Sequence, residues 1–347
     1  MIKKLQIWIF FLMFIIIYSV SKTTILASNL TLDAKSAILM EMSSKRVLYE
    51  KDIHTRYLTA SISKIMTAIV AIENGRLYDY YKVDRQTTLQ IGSSIYLQEN
   101  EHIRLIDLIY GLMLRSGNDA AHMIALCVAG SVEHFAKMMN DYAKKLNMTN
   151  STFENPSGLD EDTKNYSTAY DMALLTSYAM QNKLFRKISG TRQYVVETLE
   201  GRKLYFTNTH RLVGKEKYIT GGKPGYTEKA FRTLVTTAKK DNMELVVVTF
   251  VCGNDWQVHR NLFNYGFDNY MLYVLVKKQV IYFKTDKTTY VGQIPTDIAY
   301  PVSKDEINRL SCIVYLYKNP KKDIVGYACI YLDNKELSRI DIVRVRK

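Results

Sequence analysis

The sequence predicts a multi-domain protein of the α/β class, built from both helices and strands. Three successive patterns along its 347 residues indicate this class. Apolar residues recur at helical spacing through most of 59–190, and runs typical of strands follow between 192 and 250. Beyond Tyr270, short β-rich runs alternate with turns. A hydrophobic content of 47% suits a folded protein of one large domain or two.

The N-terminal segment has the composition of a secretory leader. Met1–Lys4 is short and basic, Leu5–Val20 carries no charge, and small residues follow at Ala27 and Ser28. This order predicts a signal peptide over residues 1–27 and hence export to the cell envelope. The alternative is an uncleaved anchor, because the apolar run approaches the length of a membrane span. The protein would then remain attached to the membrane.

The formal net charge of +13 favours anionic surroundings. Loss of Lys3, Lys4 and Lys22 with the leader would leave +10. Export and the absence of an arginine-rich block argue against nucleic acid as a partner. We therefore expect peripheral association with the cell wall or the membrane. A generic basic surface without a partner is the alternative.

The spacing of the cysteines and histidines predicts no metal site. The four cysteines are too widely spaced for a disulfide-stapled domain or a zinc site. Cys127 and Cys252 lie in apolar runs and are expected to be buried thiols. Cys312 and Cys329 are expected on neighbouring strands, and the sequence leaves open whether they form a disulfide.

The first element after the leader is a predicted β-hairpin, and a helix follows it. Two apolar runs, 37–42 and 46–50, flank a short polar turn. In the helix that ends at Gly75, Ser61 and Lys64 are three residues apart and share one face. A lysine whose charge is disfavoured can take the proton of a serine hydroxyl and activate it as a nucleophile. The alternative is an ordinary amphipathic helix with a serine cap.

Two further helices are predicted around the turn that contains Ser116 and Asn118. The first follows helical spacing over 103–114, and the second runs from Ala120 to Gly130. Gly117 is expected to break the first helix, and Asn118 or Asp119 to cap the second. Ser116 and Asn118 are then either turn and cap residues or a proton shuttle and an amide aimed at a substrate.

The remaining chain divides into a helical stretch, a group of strands and a terminal β-rich region. Residues 131–190 are mostly helical, with a loop at 154–160 and a cap at Ser167 or Thr168. The strand pattern that follows contains Gly221–Thr227, where two glycines indicate close approach to the backbone. A loop with a solvated Lys223 is the alternative. A final helix is expected over 259–267, and a separate small β domain, without assigned chemistry, over 274–347.

Three short motifs stand in one order along the chain, and together they are specific. They are Ser61-x-x-Lys64, Ser116-Gly117-Asn118 and Lys223-Pro224-Gly225. With them the chain resembles the serine-type D-alanyl-D-alanine carboxypeptidases, the low-molecular-mass penicillin-binding proteins, and looks closest to their Gram-positive, sporulation-associated branch.

The resemblance implies a fold and two domains. The expected fold is that of penicillin-binding proteins and β-lactamases, the transpeptidase fold, in which helices flank an antiparallel sheet beside a helical subdomain. It implies a catalytic domain over residues 29–270 and a C-terminal β domain over 274–347.

The resemblance also implies an acyl-transfer cycle on the stem peptide of peptidoglycan. Ser61 would be the nucleophile and Lys64 its base, while Ser116 would relay a proton and Asn118 would hold the substrate amide and Lys64. The family acts without a cofactor, and β-lactams are its covalent inhibitors.

The same resemblance implies a substrate-binding strand. Lys223 would attract the terminal carboxylate of the substrate, and Gly225 completes the motif. The backbone N–H groups of Ser61 and Tyr226 would form the oxyanion hole. Arg260 is expected to be a second cation for the carboxylate.

The third motif departs from the family pattern because Pro224 stands where the family has threonine. This removes a hydroxyl expected to donate to the substrate carboxylate, a contact worth about 1.5–3 kcal/mol. We expect catalysis slowed by one to two decades rather than abolished. One alternative is a non-catalytic protein that binds penicillin and peptidoglycan. The other is a β-lactamase with Glu154 as the residue that activates water, although its surrounding residues do not resemble that class.

Overall fold

The computed structural model describes residues 32–284, 289–318, 320 and 323–345. The predicted signal peptide at 1–27 therefore lies outside the described residues. Within the described part, no helix combines the length and the apolar character that a bilayer crossing requires.

The region expected to be catalytic, described here over residues 32–270 and called the catalytic region below, is organised around a five-stranded antiparallel sheet. Its strands are rich in β-branched residues, and most are apolar on both faces because helices cover both sides. Ile38 and Val248 face the main helical core, whereas Leu39 and Leu245 contact Gly266 on the last helix. The strands, in the order of the sheet, are β2 (Val47–Lys51), β1 (Ala34–Glu41), β11 (Met243–Cys252), β10 (Phe231–Lys240) and β9 (Ile219–Thr227).

Helices on both faces of this sheet bury its apolar residues. The described helices are α1 (Lys64–Asn74), α2 (Arg85–Thr88), α3 (Leu105–Arg115), α4 (Asn118–Ala129), α5 (Val132–Lys145), α6 (Ala169–Ala179), α7 (Lys183–Gly190) and α8 (Asp255–Asn269). Helix α1 is buried over most of its length and contacts α3, α4 and α6. The predicted helices and the N-terminal hairpin are thus confirmed.

Three two-stranded ribbons complete the catalytic region. They are β3 (Tyr57–Leu58) with β6 (Tyr166–Ser167), β4 (Tyr80–Lys82) with β5 (His102–Arg104), and β7 (Gln193–Glu197) with β8 (Lys203–Thr207). The second ribbon corrects one boundary. The helix predicted from residue 103 begins at Leu105, because the three preceding residues pair with β4. Helical spacing alone does not reveal such a partner 22 residues away.

Helix α1 ends at Gly75, as predicted. The Gly75 backbone is extended, with φ −93°, and does not adopt the left-handed conformation common at helix ends. A Cβ on Gly75 would lie 2.2 Å from Leu105 Cδ2 and 2.8 Å from the Ala71 oxygen. The glycine is therefore required by the close packing of α1 against α3.

The C-terminal region contains a second apolar cluster, built around Ile298, Val325 and Ile342. The β-rich region expected from residue 274 begins with two strands, which are separated by Lys277 and Lys278. The strands are β12 (Met271–Val276) with β15 (Ile298–Val302), and the sheet β13 (Gln279–Lys284), β14 (Thr289–Ile294), β18 (Lys335–Arg344), β17 (Ile324–Leu332) and β16 (Leu310–Leu316).

The two cysteines of this region do not form a disulfide. Cys312 is paired with Ile330, and Cys329 with Ile313, across β16 and β17. The two thiols therefore point to opposite faces of the sheet, and both are free.

Arg46, next to the N-terminal hairpin turn, joins the catalytic region to the C-terminal strands. Its guanidinium binds both carboxylate oxygens of Glu306, at 2.6 and 3.0 Å, and donates to the Pro301 oxygen at 2.6 Å. The rings of Tyr270 and Tyr300 lie 5.5 and 5.3 Å away. The described residues from Asp33 onward form one compact unit. The division at 29–270 and 274–347 stays a prediction.

Candidate active site

Lys64, at the start of α1, is completely buried and brings two of the predicted motifs together. Its Nζ lies 2.9 Å from Ser61 Oγ and 2.8 Å from Asn118 Oδ1. It also donates to the Ser157 carbonyl oxygen at 2.6 Å. The structure thus places the predicted nucleophile, the predicted base and the predicted amide around one nitrogen atom.

A neutral lysine can make all three of these contacts. The oxygen atoms of Ser157 and Asn118 can only accept, so each takes one of the two hydrogens of an uncharged amine. The remaining lone pair of Nζ then faces Ser61 Oγ and can accept the hydroxyl proton. An ammonium has three hydrogens and no lone pair, so it could only donate to that hydroxyl.

The surroundings of Lys64 favour the neutral form. Burial holds the pKa of Lys64 well below its ordinary value of 10.5, and the charge of Lys223 lowers this pKa further, while the Asp119 carboxylate opposes both. Burial also lowers the pKa of Lys223, to about 7. Two cations side by side in a buried site are unfavourable. Lys64 and Lys223 together therefore carry a charge of less than +2 near neutral pH.

Ser61 is held by a short, strained turn that precedes α1. The turn is a 3-10 helix over Ala60–Ser63, and Ala60 has a positive φ of 46°. Such a conformation costs about 1–3 kcal/mol outside glycine and clusters at functional sites. The Ser63 hydroxyl donates to the Ala60 oxygen at 3.0 Å, and Thr233 Oγ1 donates to the Thr59 oxygen at 2.9 Å. These bonds tie the turn to itself and to β10.

The junction between α3 and α4 differs in detail from the expectation. The left-handed residue is Ser116, with φ 63°, whereas Gly117 has φ −57° and is the N-cap of α4. Asn118 begins α4 and caps nothing; its Nδ2 donates to the Ile91 oxygen at 2.7 Å, which fixes Oδ1 toward Lys64. One hydrogen of Nδ2 remains for a substrate. No hydrogen bond of Ser116 Oγ occurs within the described residues.

Asp119 supports this junction and was considered in the sequence only as a cap. Its buried carboxylate accepts from the backbone N–H of Ile95 at 3.0 Å and of Leu97 at 3.1 Å, and from Ser94 Oγ at 2.6 Å. The segment that carries Ile91 is therefore fixed against α4. A partner 22 residues or more away leaves no local signal in the sequence.

Strand β9 is the edge of the central sheet and carries the third motif. A Cβ on Gly225 would lie 2.9 Å from the Ser61 nitrogen and 2.5 Å from Thr233 Oγ1, so only glycine allows the strand to pass so close to the turn. Lys223 is completely buried, and its Nζ donates to the Pro224 oxygen at 2.9 Å. Tyr226 follows with its side chain largely exposed. The strand predicted here is confirmed.

Side chains alternate between the two faces of the sheet along β9, so Pro224 faces the side opposite to Lys223 and Gly225. Lys223 and Gly225 face the turn and the helical core, so Gly222, Pro224 and Tyr226 face the α8 side. On that side a Cβ on Gly222 would lie 2.7 Å from His210 Nε2. The close approach expected at the glycine pair is thus made by Ser189 at Gly221, and by the Val235 oxygen and His210 at Gly222.

Arg260 does not occupy the position expected of a second cation. Its Nε donates to Glu216 Oε1 at 2.7 Å on the surface of α8. Arg232 is instead paired with Tyr226 in the sheet and shares its face, and its guanidinium lies 3.5 Å from the buried carboxylate of Asp255. Strand pairing therefore places Arg232 beside the third motif.

The loop before β6 supplies the carbonyl contact to Lys64, which was missed in the sequence. Asn155 Oδ1 accepts from the backbone N–H of Ser157 at 3.1 Å and of Gly158 at 2.7 Å. Asn165 Oδ1 accepts from the Asn155 nitrogen at 3.2 Å. The proline and glycine of this segment predicted a loop, but its backbone oxygen as a ligand of Lys64 has no side-chain signature.

Two buried histidines lie behind the third motif and were also missed. His210 Nε2 lies 3.2 Å from the Val235 oxygen and 2.9 Å from Thr236 Oγ1. His259 bridges Thr236 Oγ1, at 2.8 Å, and Thr249 Oγ1, at 3.0 Å. Burial lowers the pKa of His210 to about 3 and holds the pKa of His259 well below 6.5. Both are therefore neutral in the fold. The described residues contain no group of three or more side chains of histidine, cysteine, aspartate or glutamate that could hold a metal ion.

The fold and this site match known proteins. The model of the Peptidase S11 family, described as D-alanyl-D-alanine carboxypeptidase, matches residues 22–253. The D-alanyl-D-alanine carboxypeptidase DacF of Bacillus subtilis is 33% identical over 261 residues, which are 72% of this chain. This chain spans only 66% of the length of that relative.

Solved structures agree with the fold. A D-alanyl-D-alanine carboxypeptidase of Mycobacterium tuberculosis is 26% identical, with a TM-score of 0.66 over 71% of this chain and 96% of its own. Penicillin binding protein 5 of Haemophilus influenzae is 22% identical and has a TM-score of 0.77 over 92% of this chain and 98% of its own. The second comparison includes the C-terminal strands, so the predicted fold class is confirmed.

The buried histidines predict that stability falls in acid. Their folded pKa values lie below the unfolded value of about 6.5, so the fold loses stability as the pH falls below 6.5. With its pKa of about 3, His210 should contribute a loss of about 2–3 kcal/mol in the free energy of unfolding between pH 6.5 and 4.5, and His259 should contribute a loss in the same direction. Urea titrations at several pH values measure it. The variant His259→Gln should flatten the dependence, and His134→Gln, at an exposed histidine, should not. An unchanged slope in His259→Gln would contradict this explanation.

Proposed function

This chain belongs to the D-alanyl-D-alanine carboxypeptidase family, and from that premise we propose that it removes the terminal D-alanine from the stem pentapeptides of peptidoglycan. The observation that carries the proposal is the contact of 2.9 Å between Lys64 Nζ and Ser61 Oγ, made by a lysine whose two acceptor contacts leave a lone pair for the hydroxyl. This is the arrangement that an activated serine nucleophile requires.

The reaction begins when Ser61 Oγ attacks the carbonyl carbon between the two D-alanines. Lys64 takes the hydroxyl proton, and the tetrahedral intermediate collapses to an ester on Ser61. The departing D-alanine amine needs a proton, and Ser116 relays it from Lys64. Water then attacks the ester carbonyl and gives a proton to Lys64. As the bond from the carbonyl carbon to Ser61 Oγ breaks, Lys64 passes this proton to Ser61 Oγ, and the shortened peptide leaves. No cofactor enters these steps.

The edge strand supplies the charge stabilisation. The close passage of Gly225 by the Ser61 nitrogen supports an oxyanion hole formed by the N–H groups of Ser61 and Tyr226. The N–H groups at the start of a helical turn have no helical acceptor, so that of Ser61 is available. Lys223 draws the substrate carboxylate into the site, and its charge disfavours a second charge on Lys64. Binding of a carboxylate would in turn stabilise the charge of Lys223.

Pro224 weakens this binding without disturbing the fold. It lies on an edge strand, where proline is tolerated, and its neighbours keep their register with β10. The missing threonine hydroxyl leaves the carboxylate with one donor fewer. Arg232, on the same face of the sheet, is the described cation that can offset part of this loss.

The alternative of a non-catalytic protein that binds penicillin and peptidoglycan rests on Pro224 alone. The alternative of a β-lactamase has less support, because Glu154 Oε2 accepts from the Lys164 backbone nitrogen at 2.7 Å and is thereby held in the structure of its own loop. As partners we propose the peptidoglycan stem peptide and, as covalent inhibitors of Ser61, β-lactams. We place the action outside the cytoplasm, with peripheral association with the wall or membrane.

Reaction with a labelled penicillin and a diacetyl-Lys-D-Ala-D-Ala peptide tests the proposed activity. We expect a long-lived label on Ser61 and release of D-alanine, both lost in Ser61→Ala. The variant Ser311→Ala is the matched control, because Ser311 is an exposed serine on β16 of the C-terminal sheet and its loss should leave labelling in place. Neither label nor D-alanine from a folded sample would favour the non-catalytic protein. Rapid turnover of a chromogenic cephalosporin would favour the β-lactamase.

Replacement of Pro224 by threonine tests the account of the third motif. A restored, charge-assisted hydrogen bond worth about 1.5–3 kcal/mol should raise the rate constant of acylation about 10-fold to 100-fold. Stopped-flow acylation by a fluorescent penicillin measures this rate. Pro224→Ala restores the backbone N–H without the hydroxyl and should give a much smaller gain. An unchanged or slower rate in Pro224→Thr would show that the hydroxyl is not what this site lacks.

A further inference from the structure

Strand β16 forms one edge of the C-terminal sheet and lacks the usual protection of an edge strand. Edge strands commonly carry charges, proline or a bulge, which prevent pairing with another chain. Residues 310–316 read Leu-Ser-Cys-Ile-Val-Tyr-Leu, with neither a charge nor a proline. They pair with β17 in one continuous register without a bulge. By contrast, β13 at the other edge ends at Lys284.

The side chains of β16 expose apolar surface on both faces of the sheet. Ile313 is 46% exposed, and Val314, Tyr315 and Leu316 are each 39% exposed. Because neighbours along a strand point to opposite faces, this exposure lies above and below the edge. Contiguous apolar surface of this kind marks an interaction site.

The backbone of β16 presents a regular row of hydrogen-bonding groups outward. The Tyr317 nitrogen donates to the Val325 oxygen at 2.9 Å, so Tyr317 directs its backbone groups toward β17. In an antiparallel pair this direction alternates, and the odd-numbered residues of β16 therefore share it. The backbone groups of Leu310, Cys312, Val314 and Leu316 point to the open side.

We propose that β16 pairs with β16 of a second copy of this chain, antiparallel and about a two-fold axis at Ile313. The pairing joins the two C-terminal sheets into one continuous sheet, in the isologous arrangement that is commonest among homo-oligomers. In this register Leu310 lies opposite Leu316 of the second copy, Cys312 opposite Val314, and Ile313 opposite Ile313. Each outward-pointing residue meets an outward-pointing residue, as the hydrogen bonds require.

The charges at the two ends of β16 favour this partner. Arg309, which binds Asp333 at 3.1 Å, lies opposite Tyr317 of the second copy, where a cation and an aromatic ring attract each other. Lys318 lies opposite Asn308, so no two cations face each other. An anionic membrane or wall polymer would be attracted by cations along the strand, and residues 310–317 contain none. The strand is thus complementary to itself and not to an anionic surface.

The oligomeric state of the purified chain tests this interface. Sedimentation equilibrium should show a monomer–dimer equilibrium that Val314→Lys shifts to monomer, because the new charges would be buried close to one another. Val280→Lys is the matched control, since Val280 lies on the opposite edge strand β13 and is 43% exposed. It should leave the dimer intact, and both variants should still react with labelled penicillin, which reports a folded catalytic region. A monomer at every soluble concentration, or a dimer that survives Val314→Lys, would overturn the proposal.

A cross-link tests the register. At the two-fold axis the Ile313 Cα atoms form a non-hydrogen-bonded pair about 4.5 Å apart, within the range for a disulfide. The double variant Cys312→Ser with Ile313→Cys should form a reducible dimer on mild oxidation, whereas Cys312→Ser with Val280→Cys should not. Absence of the Ile313→Cys cross-link would overturn the register. If the chain is a monomer that binds vesicles or cell wall, and Val314→Lys abolishes that binding, then β16 contacts the membrane or the wall and not a second copy.

Discussion

The structure depends most on one buried amine. Lys64 Nζ has no contact with water, and its three neighbours are an amide oxygen, a backbone carbonyl and a hydroxyl. A charge there would be unfavourable because of burial and because Lys223 lies close by. Burial and the charge of Lys223 thus favour a neutral amine beside Ser61. Three separate segments of the chain must meet to bring these groups together.

Much of the surrounding structure can be understood as the means of holding those segments. The positive φ of Ala60 and the close approach of Gly225 bring the turn of Ser61 against the edge strand. The side chains of Asn155 and Asp119 fix two loops, so that the Ser157 carbonyl and the Asn118 amide meet Lys64. The strain at Ala60 persists because hydrogen bonds and packing from several elements determine its position.

The sequence predicted what short spacings determine. The pair Ser61 and Lys64, the hairpin, the long helices and the strand of Lys223 follow from periodicity and motif. Contacts between distant segments could not be predicted, such as the Ser157 carbonyl on Lys64 or the pairing of Arg260 with Glu216. Gly117 was expected to break the first helix, yet the left-handed residue at the α3–α4 junction is Ser116, and Gly117 has φ −57°.

The central claim is that Lys64 is the neutral base for Ser61, and the pH dependence of acylation tests it most directly. The rate constant for acylation by a fluorescent penicillin should rise with pH through one ionisation far below the ordinary lysine value of 10.5 and then level off. A rate that still climbs tenfold per pH unit between about pH 8 and 10 would mean that the base is an ordinary charged lysine. That result would contradict the account.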